Sequence, residues 1–225
     1  MKAVVLVSGG LDSTTLLHHV VKRLGADPVY ALGCRYGQKH ARELDMARWQ
    51  CAQLPAVREW RVVDLPVGEL TQGASALTDT AIAVPDLAAI APDQRRQPPT
   101  YVPNRNMILL AVAAAYAESR GCGAVFYGAQ AADAYGYWDC TAEFVARLNA
   151  VLNLNRREPV AIQAPFLELR KAQILQLGFE LGVDYAHTWS CYRGQDQACG
   201  RCPTCVERRA AFAELGRPDQ LPYAG

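Results

Sequence analysis

The sequence predicts an α/β fold, a parallel sheet of about five strands flanked by helices, with a four-cysteine knuckle near its C-terminal end. Three observations predict it. Apolar runs alternate with amphipathic segments from the first residue onward, Ala3 to Val7 is continuously apolar as a strand buried on both faces should be, and Cys191, Cys199, Cys202 and Cys205 crowd the tail.

The elements follow in order. Ala3 to Val7 reads as a strand that runs straight into Ser8-Gly9-Gly10-Leu11-Asp12-Ser13; after that turn Leu16, Leu17, Val20, Val21 and Leu24 recur at helical spacing, and Gly25 is a stop. The unit repeats as a strand over Val29 to Cys34, a helix from about Lys39 to Leu54 and a strand over Val57 to Leu65. Gly73 to Thr100 keeps no period and collects Pro85, Pro92, Pro98 and Pro99, the signature of a lid or binding loop. Asn106 to Arg120 is Ala-rich and helical, Ala124 to Tyr127 with Gly128 is a fourth strand, and helices are expected at Cys140 to Leu152 and Arg170 to Leu181. From Thr188 the chain is built around cysteines.

Composition narrows the function. The 225 residues are 51% apolar, enough for one core, so residues 1–225 are expected to form a single domain with a metal-binding subregion at 188–209. Lys plus Arg (23) against Asp plus Glu (22) leaves a formal charge of +1, which argues against a protein that grips nucleic acid through a basic surface. The longest apolar stretch, Met107 to Ala117, is 11 residues, short of the roughly 20 that cross a bilayer. The first residues lack the pattern of a secretory signal, so a cytoplasmic protein is expected, in which eight cysteines point to metal or chemistry rather than disulfides.

Ser8 to Ser13 sits where a parallel strand hands over to a helix, the place where backbone N–H groups and the helix dipole converge on an anion. Gly9 and Gly10 let the backbone approach phosphate, and Ser8, Ser13, Thr14 and Thr15 add hydroxyl donors. A carboxylate repels phosphate unless a cation lies between them, so Asp12 is expected to help hold Mg²⁺, directly or through water. The plain alternative is a tight turn with Asp12 or Ser13 as a helix cap. The candidate nucleotide site therefore runs through Val7, Ser8, Gly9, Gly10, Leu11, Asp12, Ser13, Thr14, Thr15, Leu16 and Leu17, with Asp12 and Ser13 as catalytic candidates. No Gly-Lys-Ser/Thr string follows, which argues against an enzyme that transfers a γ-phosphate.

The four cysteines form C-x7-C-x2-C-x2-C, a spacing suited to four thiolates on one tetrahedral ion. A closed thiolate shell has no vacancy for substrate, so structural zinc is the reading, with an iron–sulfur cluster as the competitor that cysteine count alone leaves standing. Arg193, Arg201, Arg208 and Arg209 are near enough in sequence to offset its negative charge. Cys34, Cys51 and Cys122 carry no spacing signal and read as buried small hydrophobes.

Ser8 to Ser13 resembles the pyrophosphate loop of the ATP pyrophosphatase superfamily. Together with Tyr36-Gly37-Gln38-Lys39-His40, Thr100 to Asn106, Gly136 to Cys140, Thr188 to Tyr192 and Cys199 to Cys205, it resembles one family there, 7-cyano-7-deazaguanine synthase of the queuosine pathway, over nearly the whole chain. The resemblance implies a Rossmann-like, adenine nucleotide alpha-hydrolase-like sheet and a homodimer. It implies ATP, Mg²⁺ and Zn²⁺ as cofactors, and 7-carboxy-7-deazaguanine and ammonia as small-molecule partners, with neither nucleic acid nor membrane. It also implies two adenylations, first of the acid and then of the amide, each releasing AMP and pyrophosphate.

Within that frame Arg105, after Pro103, is a candidate to hold the triphosphate, against an exposed arginine at a helix start. Asp139 is a candidate acceptor for the deazaguanine edge with Tyr137 or Trp138 stacked on its face, against a surface carboxylate beside core aromatics. Lys171, at a helix N-terminus, is a candidate for phosphate, against a solvated lysine. His40 is a candidate to polarise nucleotide or substrate, against a structural hydrogen-bonding role, and His18 and His19 are expected to be partly exposed on the first helix. The family commonly reads Gly-Tyr-Pro-Asp-Cys-Arg where this chain has Trp138 and Thr141, which removes a guanidinium suited to the substrate carboxylate. The competing functions are another adenylating enzyme of the superfamily, such as a tRNA thiolase or lysidine synthetase, and a non-enzymatic zinc module for nucleic acid. A reactive cysteine pair and a basic extension for the former, and a basic surface for the latter, are not evident.

Overall fold

The computed structural model describes residues 1–39, 42–91, 97–131, 133 and 136–224. Strands β1 (Ala3–Leu6), β2 (Val29–Arg35), β3 (Val57–Asp64), β4 (Ala124–Phe126) and β5 (Ala161–Gln163) pair in parallel in the order β3-β2-β1-β4-β5. Parallel pairing requires crossovers, supplied by helices α1 (Leu11–His18), α2 (Glu43–Ala52), α3 (Val67–Leu70), α4 (Arg105–Arg120) and α5 (Ala142–Leu152), with α6 (Lys171–Glu180) and α7 (Pro203–Glu214) after the last strand. Among the described residues no helix is long and apolar enough to cross a membrane.

Pleating explains why β1 is apolar throughout. Ala3, Val5 and Val7 face a core with Leu16, Leu17, Phe126, Ile174, Leu175 and Phe212, whereas Val4 faces the opposite core with Leu32, Leu110, Ala113, Val125 and Ile162. Strand order reverses at β1, whose two neighbours β2 and β4 are reached by crossovers in opposite directions. A crevice must therefore open beyond the C-terminal ends of β1 and β4.

Several expected boundaries move, for physical reasons. The second helix starts at Glu43, not Lys39; the Lys39 N–H instead donates to Leu77 O at 3.0 Å and its ammonium to Ile82 O at 2.6 Å. The first helix is regular only to His18 and widens into a π-helical turn over His19–Arg23. β5 has only three residues, alternating exposed, buried and exposed, too short for periodicity to reveal. Asn149 of α5 holds it: its Nδ2 donates to Ile162 O at 2.9 Å and its Oδ1 accepts from Ile162 N at 2.7 Å.

His18 corrects another expectation, being 3% exposed rather than at the surface. Its Nε2 meets Gln50 Oε1 at 3.1 Å, and the Gln50 amide donates to Asp184 O and His187 O, so one buried pair ties α1 and α2 to the turn at 184–187. Burial, reinforced by the Lys22 charge, pushes the His18 pKa down to about 4. The unfolded chain then takes up a proton below about pH 6.5 that the folded one refuses, so stability is full above that pH and falls as pH drops toward 4. Between pH 7 and 5 this histidine should account for about 2 kcal/mol of lost stability. Urea midpoints at the two pH values should converge in His18→Gln; an undiminished pH dependence in that variant would refute the role.

Candidate active site

The turn after β1 is forced into shape by its neighbours. Gly9 has φ +90°, and a Cβ there would lie 1.9 Å from Glu43 O and 2.8 Å from Ala47 N, so α2 packs directly on its backbone and only glycine fits. The carbonyl of Gly9 accepts from Trp189 N at 2.9 Å, pinning the turn from the side of the C-terminal segment. Ser13 Oγ accepts from Ser8 N (3.1 Å) and Gly9 N (3.2 Å) and sits 3.0 Å from Ser8 Oγ, while Gly10 N donates to Ser8 Oγ at 3.3 Å. The N–H groups thus converge on the Ser8 and Ser13 hydroxyls at the start of α1, a donor nest at a helix N-terminus of the kind that takes anions. Gly128, just beyond β4, completes the crevice; a Cβ there would stand 3.3 Å from Ser13 N.

Two adjoining cavities open at this nest, of about 250 and 130 Å³. Ser8, Gly10, Asp12, Glu43, Lys171, Tyr192 and Thr204 line both. Of the predicted nucleotide residues, Val7 and Ser13 line the larger and Leu11 the smaller. Gly9, Thr14, Thr15, Leu16 and Leu17 are buried and line neither. The Thr15 hydroxyl bonds Leu11 O at 2.9 Å and the Tyr185 hydroxyl at 2.7 Å, so it is a packing group and not a phosphate donor.

Lys171, the first residue of α6, forms an ion pair with Asp12 Oδ2 and lies 3.4 Å from Glu207 Oε2 on α7. Burial penalises its ammonium, but Asp12, Glu207 and Asp133 outweigh that and hold its pKa above the ordinary lysine value. Burial raises the pKa of the Asp12 carboxyl, opposed by Lys171, and Asp12 Oδ1 is buried with no hydrogen-bond partner among the described residues. Asp133 and Glu207 are site residues the sequence did not reveal. Gln130 bridges them, its Nε2 3.3 Å from Asp133 Oδ1 and 3.2 Å from Glu207 Oε1, and burial pushes the Asp133 pKa up to about 6.

Arg105 opens α4 and lines the larger cavity, where it donates to the Tyr36 hydroxyl at 3.3 Å. Tyr137 lines the same cavity and meets the Thr100 hydroxyl at 3.0 Å. Asp139 does not line it: the side chain is 2% exposed and its Oδ2 accepts from Asn106 N at 3.1 Å, so it caps the first turn of α4. Trp138 points outward, 48% exposed, with Nε1 donating to the Tyr101 hydroxyl at 2.9 Å. Thr141 is the cap of α5, accepting from Phe144 N at 3.1 Å. His40 lies outside the described residues.

The ligand atoms of Cys191, Cys199, Cys202 and Cys205 all lie within 4.8 Å of one another, and all four residues are buried. A tetrahedral ion with metal–sulfur bonds of about 2.3 Å needs sulfurs about 3.8 Å apart, so the set is positioned for a metal. Backbone N–H groups of Arg193 and Cys199 reach Cys191 Sγ at 3.5 and 3.4 Å, and that of Cys202 reaches Cys199 Sγ at 3.3 Å, as sulfurs carrying charge require. The arginines are less involved than their positions suggest. Arg208 is 1% exposed and pairs with Asp219 through two bonds of 2.8 and 2.9 Å, Arg209 lies over the Tyr223 ring, and the Arg193 guanidinium bonds Asp86 at 2.6 Å. Cys34, Cys51 and Cys122 are buried and free, as expected.

A donor nest at the switch point of a parallel sheet, without a Walker lysine, marks a nucleotide-binding enzyme of the pyrophosphate-loop class. The fold agrees: the U34-tRNA thiolase NcsA from Methanococcus maripaludis superposes with TM-score 0.50 at 15% identity, over 96% of this chain and 65% of that one. Residues 2–216 match the family described as "Queuosine biosynthesis protein QueC", and the chain belongs to that family. Among its relatives are the 7-cyano-7-deazaguanine synthases of Marinobacter nauticus, 46% identical over 98% of this chain and 96% of that one, and of Chromohalobacter salexigens, 45% identical over 100% and 86%. The chain is thus an enzyme of the ligase class in queuosine precursor biosynthesis.

Elemental analysis should find one metal ion per chain, and Cys202→Ser should lose it with a melting temperature lower by roughly 10 °C or more. A metal-free preparation that melted unchanged would remove the structural role.

Proposed function

We propose that this chain converts 7-carboxy-7-deazaguanine and ammonia into 7-cyano-7-deazaguanine while cleaving ATP to AMP and pyrophosphate. The observation that carries the reading is the turn at the start of α1, whose Ser8 and Gly10 line both cavities together with the Asp12–Lys171 pair. A carboxylate oxygen attacks the α-phosphorus, the bond to the bridging oxygen breaks, and pyrophosphate leaves against the nest and Lys171. Ammonia adds to the acyl adenylate, loses a proton, and AMP departs to leave the amide. The amide oxygen is adenylated in turn, and loss of AMP together with the protons on nitrogen forms the C≡N bond. Asp133, ionised at neutral pH, is an acceptor for such protons in the same cavity.

Asp12 suits Mg²⁺, which takes one or two carboxylates plus substrate phosphates: its Oδ1 is the buried oxygen left without a partner, and the ion, when bound, screens phosphate charge. Cys191, Cys199, Cys202 and Cys205 would hold zinc in a structural role. Sulfurs within 4.8 Å of one another suit a single ion better than a larger iron–sulfur core.

Purified protein with ATP, Mg²⁺, ammonium and 7-carboxy-7-deazaguanine should yield AMP, pyrophosphate and the nitrile, identified by mass. ADP with phosphate would contradict adenylation, and an untouched base would contradict the substrate. Asp12→Asn should lower kcat by roughly 100-fold or more with metal content unchanged, and near-normal turnover would remove Asp12 from the site.

A further inference from the structure

We infer that Arg105 is the carboxylate-recognition residue of this cavity, the group that admits the acid substrate, and not a ligand of the triphosphate. The inference rests on the proposed reaction and assigns it a specificity determinant.

Among the described residues the larger cavity holds two cations in different surroundings. Lys171 is compensated by Asp12 and Glu207, with Asp133 acting on it as well. Arg105 has phenols for neighbours: Tyr36, whose hydroxyl accepts from it at 3.3 Å and whose ring centroid lies 5.8 Å from its Cζ, with Tyr137 and Tyr192 close enough to act on its charge. Among the described residues no carboxylate lies within ion-pair distance of Arg105, and the one that feels its charge, Asp139, is turned away to cap α4. A guanidinium is always charged, so one that lines a cavity with no carboxylate bonded to it offers its fork to an incoming anion.

Position favours the carboxylate over phosphate. The smaller cavity, lined by Leu11, Trp189, Ser190 and Arg208 together with the nest, excludes Arg105. The larger one reaches both the nest and the rings of Tyr36, Tyr127 and Tyr137, which suit a flat heteroaromatic acid. The planar fork of arginine matches a carboxylate through two parallel bonds, a geometry that lysine lacks. Thr141 is uncharged and caps α5, so no second cation stands at that position.

The reaction separates the two roles, because its first substrate is an anion and its intermediate amide is neutral. Calorimetry on full-length protein should show 7-carboxy-7-deazaguanine binding more tightly than its carboxamide, with Arg105→Gln weakening the acid by roughly 10- to 100-fold and erasing the preference. Arg105→Lys, which keeps the charge without the fork and guards against a folding defect, should fall between. In turnover, Arg105→Gln should raise KM for the acid far more than KM for ATP, and depress acid conversion far more than amide conversion. Equal loss of both conversions, a rise confined to KM for ATP, or an acid preference intact in Arg105→Gln would overturn the assignment. A wild-type enzyme that bound the acid yet turned over neither compound would overturn the proposed reaction, while the binding comparison would still decide Arg105.

Discussion

The turn after β1 exists because two backbones close on Gly9. The carbonyl of Glu43 occupies the space where any other residue would carry its Cβ, and the N–H of Trp189 holds the carbonyl of Gly9 itself. Held from both sides, the turn cannot relax outward, and its N–H groups converge on the hydroxyls of Ser8 and Ser13 at the positive end of α1. A flexible glycine loop would have to order itself around each incoming nucleotide, whereas this one is arranged before the ligand arrives.

Helix α7 extends the constraint to the metal centre. It begins with Cys202 at its cap and carries Cys205 in its first turns, while Thr204, Glu207 and Arg208, at spacings of three and four, all line the cavities. One helix therefore presents thiolates to the metal and polar groups to the nest. Thr204 shows the coupling at atomic scale: its hydroxyl donates to Ser190 O at 2.7 Å and stands 3.5 Å from Cys202 Sγ. The metal need not touch substrate to fix where Glu207 meets Lys171.

What was legible in the sequence was local. The apolar run of β1, the Ser8 to Ser13 string and the cysteine spacing each carry their meaning within a few residues, and the sheet, the nest and the sulfur cluster follow from them. What escaped depends on partners distant in sequence. Asp139 reads as a substrate ligand beside Tyr137, but it caps α4, whose first turn lies more than thirty residues away. His18 reads as exposed until Gln50 is placed against it, and Arg208 reads as a partner of thiolates until Asp219 claims it. Asp133 and Glu207 gave no signal, because what distinguishes them is a shared lysine and a bridging glutamine from other elements.

The segment after α3 has little core of its own. Ala76 and Val84, with Ile82 beside them, pack into the cluster formed by Trp189, the four cysteines and Leu221, and Leu87 N donates to Arg201 O at 3.0 Å. During synthesis Ala76, Ile82 and Val84 leave the ribosome more than a hundred residues before Trp189 and the cysteines that cover them, so these side chains stay uncovered until the tail emerges. A metal closing that cysteine cluster would thereby steady a stretch from which none of its four thiolates comes.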